Sequence, residues 1–194
     1  MQQVASLFEL LAMLVMQPRT GVLFALLLIA AINDYRYYRI PNWLTGGGII
    51  FALLLSTVVP FYKGQGFIWA LGGMAIGFAA MFPMYALRIM GAGDVKLMAM
   101  VGAFLGVTDA VHAVLYSLVA GGAGALIFSL ANGTGLRMLA NLKSAAYMMM
   151  ISATAGIRPD LKLPPGQSVG KLPFGVCICA GSAGFVVARQ LGYV

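Results

Sequence analysis

Six long apolar runs, separated by short polar turns, constrain this chain more than any other feature. They lie near residues 20–34, 43–61, 67–88, 94–108, 110–130 and 173–192. A helix needs about 20 mostly apolar residues to cross a bilayer, so these runs predict transmembrane helices. Only 9% of the residues are charged, against roughly 25% in a soluble domain, and mean hydropathy is +0.94. Such a chain has too few polar side chains to cover a surface in water, which excludes a water-soluble enzyme or a DNA-binding protein. The expected fold is all-α: a polytopic membrane bundle of about six transmembrane helices, forming one integral-membrane domain over residues 1–194.

The third run contains Pro83, which neighbouring helices accommodate. The fourth is the shortest, closed by a break at Thr108-Asp109. Residues 4–16 are apolar but short and carry Glu9, with neither a positive start nor a small-residue cleavage pattern. They read as an interfacial or partly inserted helix broken at Pro18, which makes 1–18 an extra N-terminal segment. The longest polar stretch, 131–172, is expected to be a loop. Within it Met138, Leu139, Leu142, Ala145, Ala146, Met149 and Met150 recur at helical spacing, predicting a surface amphipathic helix over 137–151.

The net charge of +7 does not point to nucleic acid, because the basic residues are scattered. Their distribution orients the chain instead. With six spans and the 35–42 turn inside, the inner side holds Arg36, Arg39, Arg88, Lys96, Arg137, Lys143, Arg158, Lys162 and Lys171. Arg19, Lys63 and Arg189 fall outside. That is the positive-inside pattern, with 131–172 cytoplasmic. Glycines spaced four apart, at Gly73 and Gly77 and at Gly102 and Gly106, predict close helix packing, as do Ala120 with Gly124 and Ala180 with Gly184.

Of the five acids, Asp34 and Asp94 stand at the ends of apolar runs, where an ionisable group is costly and signals function. From Asp34 the chain crosses outward and back to reach Asp94, so both lie on one side at a similar depth. Two close carboxylates do not both ionise; one activates a water while the other, protonated, hydrogen-bonds a scissile carbonyl. Each has a plainer reading. Asp34 could pair with Arg36 or Arg39, and Asp94 could cap the fourth helix. Two embedded carboxylates could also relay protons in a transporter or channel, although no internal repeat supports that. An Asp109, His112 and Ser117 triad lacks the local pattern of a nucleophile. Two cysteines and one histidine do not make a four-ligand zinc site, so neither metal nor cofactor is expected.

Asp34-x-x-x-x-Arg39-Ile40-Pro41-Asn42, then Gly91-Ala92-Gly93-Asp94-Val95-Lys96-Leu97, and finally Leu172-Pro173-Phe174-Gly175 together resemble the motifs of the type IV prepilin peptidases. These are intramembrane aspartyl proteases with a Gly-x-Gly-Asp motif. The resemblance implies catalytic roles for Asp34 and Asp94 and cleavage of prepilin-like precursors at the cytoplasmic face of the inner membrane. The cut would follow a short basic leader. Gly91 and Gly93 would relieve crowding beside Asp94. Arg36, Arg39 and Lys96 would meet an acidic residue just beyond the cleavage point, or Lys96 would tune Asp94. Larger members carry paired Cys-x-x-Cys motifs and also N-methylate their product. Here Cys177-x-Cys179 lies in an apolar run, so no methyltransferase activity is implied. The short form is similar to the peptidases of tight-adherence (Flp) pilus systems or to their archaeal preflagellin relatives, and the Lys after Gly-x-Gly-Asp-Val and the Leu-Pro-Phe-Gly segment favour the bacterial form.

Overall fold

The computed structural model describes residues 18–58, 66–87, 89–135, 140–141, 143–144, 147–148, 151 and 173–192. Among these there is no strand. The helices are α1 (Pro18–Tyr37), α2 (Asn42–Val58), α3 (Phe67–Ala86), α4 (Ala92–Leu105), α5 (Val107–Ala131) and α6 (Phe174–Gln190). The expected helix at 4–16 lies outside the described residues. So does most of the apolar face of the 137–151 helix, although Ala140, Lys143, Tyr147, Met148 and Ile151 are helical.

Helix α4 is the hub. Ten of its fourteen residues, Val95 and Leu97–Leu105, are buried, and it packs against all five other helices. Those five close a ring around it in the order α1, α2, α3, α5, α6 and back to α1. A helix that is apolar all round belongs in such a centre. The ring helices turn apolar side chains outward as well: Leu28, Ile68, Val119, Ile127 and Leu130 are all exposed. Two of them, α3 and α5, are long and apolar enough to cross a membrane, while α2 and α6 are apolar but shorter.

Close packing of α3 on α4 depends on glycine. A Cβ on Gly73 would strike the Gly102 carbonyl, a Cβ on Gly102 would strike the Gly73 carbonyl, and Gly77 lies against the Met98 carbonyl. The small-residue spacing therefore acts as expected, backbone against backbone. On α6 the close approach is made by Gly181, which meets the backbone of Ser117, and not by Gly184.

The break between α4 and α5 falls at Gly106, earlier than the expected Thr108-Asp109. Its φ of 82° and ψ of −177° belong to a region open essentially to glycine alone. Trp69 fills the space a side chain there would need. At the same end of the bundle Arg19 lies over the Trp69 ring and donates to Ser56, and Arg189 pairs with Asp109. His112 accepts from or donates to nothing catalytic; its Nδ1 lies 3.0 Å from the Thr108 carbonyl and its ring stacks on Phe185. Ser117 faces Ser182 and the Ile178 carbonyl, so Asp109, His112 and Ser117 are engaged separately and form no triad.

Replacing Gly102 with Ala is expected to destabilise the bundle by about 1–3 kcal/mol, the usual cost of overpacking. Gly122→Ala, with nothing within 4 Å of the new atom, is expected to leave stability unchanged or raised. Thermal melting in detergent reads both, and equal behaviour would contradict the packing of α3 on α4.

Candidate active site

Helix α1 buries one stripe. Leu23, Leu27, Ala30 and Asp34 recur at helical spacing and all four face inward. Asp34 thus extends an apolar stripe with a carboxylate, only 6% exposed, while Arg36 and Arg39 point to the surface. The helix runs on to Tyr37, so Asp34 sits in its last turn and not beyond its end. Neither arginine bonds it among the described residues; Asp34 is held from the far end of the sequence. Its Oδ2 accepts the Gly175 N–H at 2.7 Å; the next amide, the Val176 N–H, donates to the Pro173 carbonyl at 3.2 Å and also favours the nearby carboxylate.

The reason lies in how α6 begins. Its N-cap is Pro173, which offers no side-chain acceptor. The first-turn N–H groups of a helix need one, and Asp or Asn at the N-cap ordinarily supplies it. Here Asp34, on a helix 141 residues away in sequence, takes that place. Gly175 permits the approach, because a Cβ there would stand 2.9 Å from Asp34 Oδ2. The described part of the motif, Pro173-Phe174-Gly175, therefore serves Asp34 directly. Sequence reasoning assigned it no role; a helix start lacking any capping residue is the signal that could have found one.

Asp94 stands three residues past the N-cap of α4, on its first turn. Its Oδ2 accepts the Gly91 N–H at 3.2 Å, and its own N–H donates to the Gly91 carbonyl. The capping reading of Asp94 is correct in geometry, yet the carboxylate is only partly occupied by it. Asp34 and Asp94 lie near enough for their charges to bear on each other and on the Cys177 thiol of α6, in agreement with the contact of Ile40 with Gly93 beside Asp94. Thus α1, α4 and the start of α6 bring two acids and a buried thiol to one end of the bundle.

The turn between α1 and α2 closes this end from the side. Ile40 occupies the space beside Gly93, where a Cβ would lie 3.3 Å from its side chain. Lys96, exposed on α4, donates to Asn42 Oδ1 at 2.9 Å. Gly91 is open, with Asp94 Oδ2 at 3.5 Å and the Gly93 nitrogen at 3.9 Å from the position of a Cβ. Among the described residues no group of three or more His, Cys, Asp or Glu side chains is placed to hold a metal ion. Two interacting carboxylates with different hydrogen-bond partners are suited to general acid–base chemistry.

Compared with known families, residues 21–126 match the type IV leader peptidase family, more than half of the chain and a span that includes both aspartates. No curated protein and no solved structure matches.

If Asp34 caps α6, Asp34→Ala is expected to be less stable than Asp34→Asn by about 1 kcal/mol, because Asn keeps an acceptor and Ala does not. Both variants are uncharged, so the comparison isolates the cap. Equal melting temperatures would contradict it.

Proposed function

We propose that this chain, which belongs to the type IV leader peptidase family, is an intramembrane aspartic endopeptidase that removes the leader from prepilin-like precursors. The observation that carries the reading is the convergence of Asp34 and Asp94. They come from the last turn of α1 and the first turn of α4, sixty positions apart in sequence, to one end of the bundle, where Ile40 after α1 lies against Gly93 beside Asp94.

Two carboxylates so placed share a proton, since like charges in one site do not both ionise readily. The ionised member takes a proton from water, whose oxygen bonds to the scissile carbonyl carbon. The protonated member delivers its proton to the carbonyl oxygen. Collapse of the resulting gem-diol breaks the C–N bond. The amine leaves with the proton taken from water, and a hydroxyl proton of the gem-diol returns to the second carboxyl. Atoms balance, and the pair ends as it began.

The outward apolar faces of the ring and the apolar lengths of α3 and α5 support a bilayer setting. Within it we infer six spans in the inner membrane, with the aspartates at the cytoplasmic face. Tyr35, Tyr37, Tyr38 and Trp43 are exposed at that end, where aromatic side chains favour the membrane–water boundary. Arg36, Arg39 and Lys96 line the same rim and suit an acidic residue of the precursor. Lys96 spends one of its three ammonium hydrogens on Asn42 and keeps two for such a contact. The chain has no counterpart to paired Cys-x-x-Cys motifs, and methyl transfer forms no part of the reading.

Incubation of the membrane-embedded protein with a prepilin-like precursor, followed by mass measurement, is expected to show a single cut that releases the leader. Asp34→Asn and Asp94→Asn should each lower that cleavage by about 10²–10⁴-fold while inserting normally; retained activity in either would contradict the reading. Cysteine-accessibility labelling is expected to place position 143 inside and position 63 outside. Both on one side would overturn the six-span arrangement.

A further inference from the structure

The two aspartates are not equivalent in their surroundings. Asp34 accepts the Gly175 N–H at 2.7 Å in the first turn of a seventeen-residue helix, with the Val176 N–H, bonded to the Pro173 carbonyl, beside it. Asp94 accepts one N–H, from Gly91, at the longer distance of 3.2 Å. Backbone N–H groups at a helix N-terminus donate and carry partial positive charge, so they favour an anion over a neutral carboxyl. A neutral carboxyl also has a proton to donate, and a ring of N–H groups offers it no acceptor.

We propose that the first turn of α6, through Gly175 and Val176, is a positioning element that holds Asp34 as the water-activating carboxylate and leaves Asp94 to carry the proton. The proposal rests on the aspartic peptidase reading and assigns the roles within it. Water gives its proton to Asp34 as its oxygen bonds to the carbonyl carbon, and Asp94 protonates the carbonyl oxygen. The other elements packed against α1 do not reverse this asymmetry. Helix α2 contains no charged residue, α4 contributes Asp94 itself and Lys96, which is bonded to Asn42, and α6 contributes the Cys177 thiol. Arg19 and Arg189 lie at the opposite end of the bundle.

Gly175 is the position to test, because any side chain there pushes directly on Asp34. Gly175→Ala is expected to lower kcat by about 10–100-fold, as a small misplacement of a reacting group does, with KM changed little. The deciding readout is the pH profile of kcat, followed on the membrane-embedded protein with a synthetic precursor peptide. Weakening the hold on the carboxylate that ionises first moves the acidic limb to higher pH and leaves the basic limb in place. If the basic limb moves instead, Asp34 is the proton carrier and the assignment is overturned. If kcat falls with neither limb moved, α6 only fills space, and the assignment is overturned again. Should Gly175→Ala not insert, Val176→Pro removes the second N–H beside Asp34 at a first-turn position whose only lost backbone bond is the one to the Pro173 carbonyl, and the same limb is read. The underlying reading fails separately: cleavage by Asp34→Asn or Asp94→Asn would remove the peptidase itself, whatever Gly175→Ala does.

Discussion

The backbone contact between α3 and α4 sets the terms for everything else. Gly73 and Gly102 press their carbonyls into the space where the other's side chain would be, so α4 sinks into the bundle deeply enough to touch every other helix. A fourteen-residue helix is about 21 Å long at 1.5 Å per residue, shorter than the roughly 30 Å of hydrocarbon in a bilayer. The first turn of α4 opens outward at Ala92 and Lys96, with Asp94 half-buried between them.

Placement of the partner acid follows from the ring. Because α1 lies between α2 and α6 and also touches α4, its buried stripe ends facing both α4 and the start of α6. A carboxylate on that stripe meets the uncapped N–H groups of α6 before it meets any cation. The result is an acid that is a structural cap and a candidate reacting group at once. This double use explains why the local readings of Asp34, as a helix-end charge paired with Arg36 or Arg39, fail: the arginines have water, and the N–H groups do not.

Much of this was legible in the chain. The apolar runs located all six helices to within a few residues, and the two helices between Asp34 and Asp94 carry the chain away from one end of the bundle and back to it. The Gly-x-Gly-Asp and Ile-Pro-Asn motifs pointed to the family that residues 21–126 match. The misses have physical causes. Thr108-Asp109 looks like a helix break because it is polar, yet Gly106 breaks the helix because only glycine adopts its backbone angles. Gly181 and not Gly184 makes the close contact on α6, since small-residue spacing states which residues share a face but not which face meets a neighbour. The bonds from Gly175 to Asp34 and from Lys96 to Asn42 are contacts of high sequence separation, and no local pattern encodes them. Gly93 packs against Ile40 of the turn after α1, another contact of high sequence separation.

The central claim is that α1 and α4 bring positions 34 and 94 of one chain into a single site. It is tested most directly by the double variant Asp34→Cys/Asp94→Cys in a background carrying Cys177→Ser and Cys179→Ser, treated in membranes with a short thiol–thiol cross-linker and analysed by peptide mass spectrometry. The account predicts a link within one chain between positions 34 and 94, and none when Asp109→Cys replaces Asp94→Cys. Thiols that are each labelled singly, with no such link formed, would contradict it.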